Sequence, residues 1–291
     1  MAEPFSSTLG RVACYRDAVR AAAAALGRTS DTPRLDAELL VAHAADAARS
    51  AVIAFPERPL GADAAEKLAR FVARRAAGEP LAYIVGRKEF RSLDLEVGPA
   101  VLVPRPETEH LVDAALARLE SIPSPAVLDL GTGSGALALA IKSERPDACV
   151  VAVDASDAAL EVARANGARL GLDVEWRLSD WFAAVGDLTF DAIVCNPPYV
   201  ASGDPHLAGL AHEPRAALDG GPDGLDAISK VIDGAPARLR DGGVLILEHG
   251  SEQQDDVVAL AAAAGFGVVE RGRDLGGRDR YVVLAKPASR R

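Results

Sequence analysis

The sequence predicts an α/β protein in which a mostly parallel sheet, covered by helices on both faces, follows a small helical bundle. Apolar residues recur at helical spacing in residues 8–80, and from residue 126 onward short apolar strands alternate with helical segments. The composition agrees, because 49% hydrophobic and 25% charged residues are typical of a folded chain rather than a disordered one. A length of 291 residues fits one large or two medium domains.

The N-terminal part is predicted to be a bundle of helices whose apolar stripes face one another. Stripes are present in residues 12–26, 35–40 and 68–72. Thr32-Pro33 supplies a cap residue and a first-turn proline for the second helix, and the Gly-Glu-Pro of residues 78–80 ends the third. Short helices of this kind are stable when such stripes pack together.

A β-hairpin connector is predicted next, for residues 83–104. Tyr83-Ile84-Val85 is followed by apolar residues that alternate as far as Val97, and then by the apolar run of residues 101–103. The predicted division of the chain is therefore a helical bundle at residues 1–82, the connector at 83–104 and a sheet domain at 105–291.

The sheet is predicted to have seven strands, of which the first five are parallel because crossover segments separate them. The last two have no room for a crossover helix between them, so they should form an antiparallel hairpin at a sheet edge. The strands are residues 126–130, 149–153, 174–178, 192–195, 244–248, 266–271 and 280–285. Residues 199–224 lack any period, and a loop this long in a compact domain is usually functional or mobile.

A ligand site is predicted where the first strand runs into the glycine-rich turn of residues 131–135. Glycine lets the backbone turn sharply and approach a ligand, since no Cβ stands in the way. Ligands of open α/β sheets bind beyond the carboxyl ends of strands at such turns. Asp154, after the next strand, can bind ribose hydroxyls of either a nicotinamide cofactor or S-adenosylmethionine, so both remain open. Asp180 and Trp181 follow the third strand, where an acid and a ring can bind adenine.

The most specific pattern is Asn196-Pro197-Pro198-Tyr199, which directly follows the fourth strand at the same carboxyl edge as the glycine turn. A substrate amide or exocyclic amine is a poor nucleophile, because its lone pair is delocalised. The Asn196 side-chain oxygen and the Pro197 carbonyl can each accept one of its N–H groups and favour the more charged transition state. The prolines stiffen the segment, and the Tyr199 ring can pack on a planar group.

This signature beside a Gly-x-Gly-x-Gly turn resembles the S-adenosylmethionine-dependent methyltransferases that act on planar amino nitrogens. More narrowly, the chain resembles the PrmC/HemK family, protein-(glutamine-N5) methyltransferases that modify bacterial class 1 peptide chain release factors. The resemblance spans nearly the whole chain. Further segments that match in family order are residues 78–84, 103–109, 179–182, 204–207, 213–215, 220–225 and 247–250.

The resemblance implies a class I, Rossmann-like methyltransferase fold and methylation of the glutamine N5 in a Gly-Gly-Gln motif, in support of translation termination. The implied cofactor is S-adenosyl-L-methionine, with S-adenosyl-L-homocysteine as product, and no metal is expected. Its implied cofactor-binding residues are Gly131, Thr132, Gly133, Ser134, Gly135, Asp154, Asp180, Trp181 and Asn196. The implied catalytic residues are Asn196, Pro197 and Tyr199. Those implied to bind the glutamine substrate or line the mouth of the pocket are Asn196, Pro197, Pro198, Tyr199, Arg105 and Glu107.

Charge and flanking sequence give expectations about partners and location. The net charge of −10 weighs against stable nucleic-acid binding through phosphates. Residues 1–90 carry 13 basic and 11 acidic side chains, whereas the remainder carries 19 and 31, so the N-terminal part is expected to recognise the release factor. No signal peptide or long apolar run is present, and we expect a cytoplasmic protein without a membrane segment, most simply a monomer.

Other functions share part of these patterns. A glutamine methyltransferase of a ribosomal protein would have the same catalytic residues and a different docking surface. An adenine-N6 nucleic-acid methyltransferase would share Asn196–Tyr199 but should carry a basic target-recognition region. A nicotinamide oxidoreductase or a non-enzymatic nucleotide-binding module would explain the glycine turn and leave Asn196–Tyr199 without a role.

Overall fold

The computed structural model describes residues 14–286. The chain forms two compact units, whose boundary in the sequence lies between Gly86 and Arg87. The first unit is helical and the second is built on a sheet. Among the described residues, no helix is both long enough and apolar enough to cross a membrane.

The first unit is a helical bundle around an apolar core, as the spacing of apolar residues predicts. Leu26, Leu40 and Leu68, one from each predicted stripe, are completely buried. Val12, assigned to the first stripe, lies outside the described residues. The short helices at residues 49–54 and 81–85 were not predicted. The helices are α1 (Tyr15–Leu26), α2 (Pro33–Ala44), α3 (Arg49–Ala54), α4 (Ala62–Ala76) and α5 (Leu81–Val85).

Thr32 precedes α2 as predicted, but it does not cap the helix with its side chain. Its hydroxyl instead donates to the Asp36 carboxylate at 3.1 Å, and Asp36 also accepts from Arg75 of α4 at 2.8 Å. The buried Asp36 carboxylate therefore ties two helices of the bundle together.

The predicted hairpin exists, but it is shorter than the segment assigned to it. Residues 83–85 are helical rather than extended, because α5 starts after Pro80 and ends at Gly86, which is left-handed with φ 77°. A run of three apolar residues does not distinguish a buried strand from a buried helical turn. The hairpin consists of antiparallel strands β1 (Arg87–Phe90) and β2 (Leu93–Glu96). Residues 101–103, also predicted to belong to the connector, form no strand.

The second unit contains the predicted seven-stranded sheet in the order β5-β4-β3-β6-β7-β9-β8. The first five strands in the chain are parallel, and β9 and β8 form the predicted antiparallel hairpin at one edge. Apolar core clusters cover both faces of the sheet. The strands are β3 (Ala126–Leu130), β4 (Cys149–Asp154), β5 (Glu175–Leu178), β6 (Phe190–Cys195), β7 (Leu239–Glu248), β8 (Gly267–Arg273) and β9 (Asp279–Ala285).

Helices connect these strands, and all but the four-residue helix at residues 206–209 have buried residues. The first of them, at residues 109–119, was not predicted. β7 begins at Leu239, earlier than the predicted residue 244, because Leu239 pairs with Phe190 before an irregularity in the register. The helices are α6 (Glu109–Leu119), α7 (Ala136–Glu144), α8 (Asp157–Leu170), α9 (His206–Gly209), α10 (Asp226–Gly234) and α11 (Gln254–Ala263).

The strand order places a crevice at one point of the sheet. The chain leaves β3 toward β4 on one side and later returns to place β6 on the other side, so the connections diverge between β3 and β6. Ligands of open α/β sheets bind at the carboxyl ends of strands at such a switch point. Leu130 pairs with Cys195 in register, and the glycine turn and Asn196 therefore flank this crevice.

Candidate active site

The three glycines of the glycine turn have two different roles. Gly131, Gly133 and Gly135 all have positive φ, at 71°, 55° and 85°, which side chains rarely adopt. A Cβ on Gly131 or Gly133 would meet nothing within 4 Å, so these two present bare backbone to open space. A Cβ on Gly135 would lie 3.0 Å from both Leu139 and Trp176. Gly135 is therefore a packing position at the start of α7.

Asp154 is hydrogen-bonded to the glycine turn. One carboxylate oxygen accepts the backbone N–H of Gly133 at 2.8 Å, and the other accepts that of Ser156 at 2.9 Å. A carboxylate has about four acceptor positions, so Asp154 keeps capacity for two hydroxyl donors. The acid thus fixes the turn while it faces the crevice.

A cavity of about 340 Å³ lies at the carboxyl edge of the sheet. Its volume falls in the range of small-molecule sites, roughly 300–1,000 Å³. Lining residues that were not predicted include Ala100, Val101, Leu102, Pro214, Ala216 and Ala217. The predicted site residues that line it are Gly131, Gly133, Asp154, Asp180, Trp181, Asn196 and Pro198.

Asp180 and Trp181 lie on a tightly held turn at this cavity. The Ser179 hydroxyl donates to the Trp181 carbonyl at 2.8 Å and accepts the N–H of Ala184 at 2.9 Å. Trp181 has φ 47°, a left-handed conformation that costs a non-glycine residue energy. The turn thereby presents the indole ring and the exposed Asp180 carboxylate to the same cavity.

A second cavity of about 60 Å³ adjoins the first, since Gly131, Gly133 and Asn196 line both. Arg105 also lines this smaller cavity, and its guanidinium is paired with the buried carboxylate of Glu213 at 2.5 Å. Other lining residues among the predicted set are Thr132 and Ser134.

Asn196 is held by residues from two distant parts of the chain. Its Nδ2 donates to the hydroxyl of Thr108 at 3.0 Å, and that hydroxyl donates to Oε2 of Glu248 at 2.8 Å. The Tyr199 hydroxyl donates to the other oxygen of Glu248 at 3.1 Å. The first and last residues of the Asn-Pro-Pro-Tyr segment are therefore linked through one carboxylate that is 1% exposed.

Burial changes the titration of several groups near the crevice. Burial raises the pKa of Glu248 to about 7, although hydrogen bonds from Thr108 and Tyr199 favour its ionised form. Burial and the neighbouring Glu248 charge raise the pKa of Tyr199 well above its ordinary range, so the phenol stays a donor.

Burial also raises the pKa of Asp129 to about 7. One oxygen of Asp129 has no hydrogen-bond partner among the described residues, while the other accepts from Thr132 at 2.6 Å.

The loop after Tyr199 packs its backbone directly on the signature segment. Val200 donates to the Leu218 carbonyl and accepts from Gly220, both at 2.9 Å. A Cβ on Gly220 would lie 2.6 Å from the Pro198 carbonyl oxygen, so only glycine fits. The loop predicted to be functional therefore clamps the Asn-Pro-Pro-Tyr segment.

Some predicted site residues lie away from both cavities. Pro197 is buried, and Tyr199 directs its hydroxyl to Glu248 and packs against the apolar core cluster on one face of the sheet. Gly135 packs against Trp176, as described above. Glu107 is half-buried in the short 3-10 turn Pro106–Thr108.

Thr108 and Glu248 lie in the segments 103–109 and 247–250 that resemble the family, but neither was predicted as a site residue. Glu248 could have been found, because it ends a parallel strand and the carboxyl ends of parallel strands lie at one edge. Leu247 pairs with Cys195, and Glu248 therefore stands beside Asn196. Thr108 gave no such signal, since its hydroxyl reaches Asn196 across 88 residues of sequence.

The residues present fit S-adenosylmethionine. The open backbone at Gly131 and Gly133 leaves room for the methionine part, and Asp154 and Asp180 offer acceptors for hydroxyl and amino groups. The Trp181 ring offers a face for the adenine. Asn196 lies where both cavities meet, and its side-chain oxygen suits an amide donor.

This strand order, with a glycine turn after β3 and Asn-Pro-Pro-Tyr after β6, defines a class I methyltransferase, the fold class that uses S-adenosylmethionine. Two family profiles match the chain: the PrmC N-terminal domain at residues 17–86 and the methyltransferase small domain at residues 109–213. The second profile spans the glycine turn and the Asn-Pro-Pro-Tyr segment.

Curated relatives are similar over most of the chain. The release factor glutamine methyltransferase of Burkholderia pseudomallei is 48% identical over 269 residues, covering 89% of this chain and 94% of the relative. The protein of the same name from Escherichia coli is 41% identical over 259 residues, covering 88% and 93%. The chain belongs to the release factor glutamine methyltransferase family.

Solved structures agree on the fold. A methyltransferase from Pyrococcus furiosus superimposes with a TM-score of 0.51 at 20% identity and covers 74% of this chain and 97% of its own. The 16S rRNA N2 G1207 methyltransferase of T. thermophilus, solved with AdoMet and guanosine, gives 0.51 at 24% identity and covers 70% and 50%.

Proposed function

We propose that the protein transfers a methyl group from S-adenosylmethionine to the side-chain nitrogen of the glutamine in the Gly-Gly-Gln motif of class 1 peptide chain release factors. The observation that carries this is the placement of Asn196 where two cavities meet, with its NH₂ group already engaged by Thr108. The side-chain oxygen of Asn196 is therefore the atom that can accept an N–H of the substrate. The names and identities of the curated relatives support the choice of release factor.

The chain's own residues mainly position the reacting groups. When bound, S-adenosylmethionine supplies a sulfonium methyl, which passes to the amide nitrogen as that nitrogen releases one proton to water. The Asn196 oxygen would accept one N–H of the glutamine and hold its nitrogen toward the cofactor. The Pro197 carbonyl is assigned the second N–H from the sequence pattern, although Pro197 itself lines neither cavity. Orientation of this kind can supply up to about 7–11 kcal/mol of the barrier. The Pro-Pro sequence and the Gly220 clamp keep these acceptors in place.

Cofactor contacts are assigned to the main cavity. Gly131 and Gly133 would border the methionine part, Asp154 would accept from the ribose hydroxyls, and Asp180 with Trp181 would bind the adenine. Arg105 would line the mouth through the smaller cavity, where Glu213 fixes it. Glu107 and Tyr199 line neither cavity and would act on the substrate indirectly. Tyr199 would act through its hydrogen bond to Glu248, and Glu107 through the short turn Pro106–Thr108 that contains it.

The helical unit is proposed to recognise the release factor, because a single glutamine gives too little contact to select one protein. We also propose a monomeric, cytoplasmic enzyme that forms no stable complex with nucleic acid. The net charge of −10, concentrated after residue 90, supports the last point.

The experiment is mass analysis of a release factor incubated with the protein and S-adenosylmethionine. One added methyl group on the glutamine of Gly-Gly-Gln is the expected result. A release factor with glutamate in place of that glutamine is the control and should stay unmodified. Methylation of a ribosomal-protein glutamine, or of adenine in nucleic acid, with the release factor unchanged would overturn the proposal.

A further inference from the structure

Asn196 must offer a particular end of its side chain to the acceptor nitrogen. Its oxygen accepts an N–H, whereas its NH₂ group would repel one. Rotation by a half-turn exchanges the two ends at nearly constant shape, so packing alone does not select between them. The selection has to come from a hydrogen-bond partner that is only a donor or only an acceptor.

Thr108 contacts the Asn196 NH₂ group, with Nδ2 and Oγ1 3.0 Å apart. A hydroxyl by itself does not settle the orientation, because it can donate or accept. Thr108 is 5% exposed, so its hydroxyl has to satisfy its donor and acceptor capacity with protein groups.

Glu248 resolves this ambiguity. Its Oε2 lies 2.8 Å from the Thr108 hydroxyl, and above the Glu248 pKa of about 7 the carboxylate is ionised and only accepts. The Thr108 proton therefore points to Glu248, and Thr108 must accept from Asn196. Tyr199 donates to Oε1 of the same carboxylate at 3.1 Å, which holds Glu248 from its other side. The hydrogen bonds run in one direction, from Asn196 through Thr108 to Glu248.

We propose that Thr108 and Glu248 are positioning residues that fix the Asn196 amide with its oxygen toward the acceptor nitrogen. This rests on the proposed function. Glu248 lines neither cavity and is 1% exposed, so it acts on the reaction only through other side chains. Its place is set by the register of β6 and β7, in which Cys195 pairs with Leu247.

The first test compares substitutions that keep or remove this direction. Thr108→Val keeps the side-chain shape and removes the hydroxyl. Glu248→Gln replaces the carboxylate, which accepts from Thr108, with an amide that can also donate to it. Each should lower kcat roughly 10- to 100-fold, the scale of losing part of one preorganised transition-state hydrogen bond. The Kd of S-adenosylhomocysteine should change less than about threefold. Thr108→Ser should restore kcat to within about threefold of the parent protein.

Matched controls separate the proposal from a general loss of fold. Thr189→Val removes an exposed hydroxyl just before β6, and Glu252→Gln neutralises an exposed carboxylate beyond β7. Both should leave kcat, cofactor affinity and thermal unfolding unchanged. If Thr108→Val and Thr108→Ser lowered kcat, cofactor affinity and Tm together, the role would be structural only and the proposal would be wrong.

The second test is a double-mutant cycle with Asn196→Ala. If Thr108 acts only through Asn196, then Thr108→Val should cause less than a twofold further loss of kcat in the Asn196→Ala background. Equal fold losses in both backgrounds would overturn the positioning role. A parent protein that fails to methylate the release factor would instead overturn the proposed function, so the two failures are distinguishable.

Discussion

The carboxylate of Asp154 accepts the backbone N–H of Gly133 at 2.8 Å, which joins the acid at the end of β4 to the glycine turn after β3. The sequence patterns predict both features separately as parts of a cofactor site. The contact shows that they form one hydrogen-bonded unit beside the main cavity. A change in the acid should therefore affect the shape of the turn as well as any contact with ribose.

Replacing Asp154 with alanine should weaken binding of S-adenosylhomocysteine. The substitution removes acceptors for the proposed ribose hydroxyls and releases the N–H groups of Gly133 and Ser156. Hydrogen bonds to charged groups contribute about 1.5–3 kcal/mol each, so Kd should rise roughly 10- to 100-fold in calorimetric titration. Glu161→Ala, at an exposed position of α8, is the control and should bind like the parent protein. Equal Kd values for the two variants would remove Asp154 from the cofactor site.

Replacing Asn196 with alanine should lower kcat far more than it lowers cofactor affinity. The proposed hydrogen bond to the reacting nitrogen should strengthen in the transition state, and removing one such bond costs roughly 10²–10³ in rate. Methyl transfer under saturating substrate, measured beside S-adenosylhomocysteine binding, separates the two effects. Activity equal to that of the parent protein would contradict the catalytic assignment.

Replacing Gly220 with alanine should disturb the signature segment from outside it. The added Cβ would lie 2.6 Å from the Pro198 carbonyl oxygen and 2.9 Å from the Tyr199 Cα, so backbone has to move. Overpacking of this kind costs about 1–3 kcal/mol, and both Tm and kcat should fall. Gly203→Ala is the matched control in the same loop, because a Cβ there meets nothing within 4 Å. If the two variants behaved alike, the loop would not clamp Pro198 and Tyr199.

Asp129 should make the folded state lose stability as pH rises. Burial raises its pKa from 3.8 to about 7, so between these values the folded protein keeps a proton that the unfolded chain releases. The contribution is fully present below about pH 4 and is lost as pH rises through 7, with a slope of up to about 1.4 kcal/mol per pH unit.

Asp129→Asn removes this titration and tests it. Relative to the parent protein, the variant should gain free energy of unfolding from about pH 4 to 7, with no further gain above that range, as measured by urea unfolding. Asp173→Asn, at an exposed position, is the control and should track the parent protein. An Asp129→Asn profile parallel to the parent profile would contradict the expected pH dependence.

The recognition role that we propose for the helical unit predicts a different kind of defect. Ile53 and Phe55 are large apolar side chains that are 52% and 55% exposed. Replacing either with serine should raise KM for the intact release factor several-fold and leave KM for a short Gly-Gly-Gln peptide unchanged. Val269→Ser, at a 46% exposed position of β8, is the control and should affect neither substrate. Unchanged KM for the intact factor in both helical variants would exclude these residues from docking.

The parts of the fold that the sequence predicts are those that local chemistry specifies. Apolar runs between glycine and proline residues locate the strands, and the short connection before residue 280 predicts the antiparallel hairpin. The three glycines at residues 131–135 predict a sharp backbone turn, and in the structure all three have positive φ. A candidate site whose residues lie in one continuous segment, such as Asn196–Tyr199, can be predicted from the sequence in the same way.

Patterns fail where one local signal fits two structures. Tyr83-Ile84-Val85 fits a strand as well as a turn of helix, and burial in the bundle favours the helix. Residues 101–103 have strand-like composition, yet two of them, Val101 and Leu102, line the main cavity and residue 103 donates its N–H to Glu213. In both cases tertiary contacts override the local propensity to form a strand.

The sequence by itself determined the class of sheet, the glycine turn and the Asn-Pro-Pro-Tyr segment, because each depends on neighbours within a few residues. Only the tertiary structure decided which end of the Asn196 side chain is bonded to Thr108 and which end is left for the proposed substrate. That choice depends on Thr108 and Glu248, which lie 88 and 52 residues away along the chain and meet only when strand register brings β7 beside β6. The direction of these hydrogen bonds depends on contacts between distant segments, so it cannot be read from any one segment of the sequence.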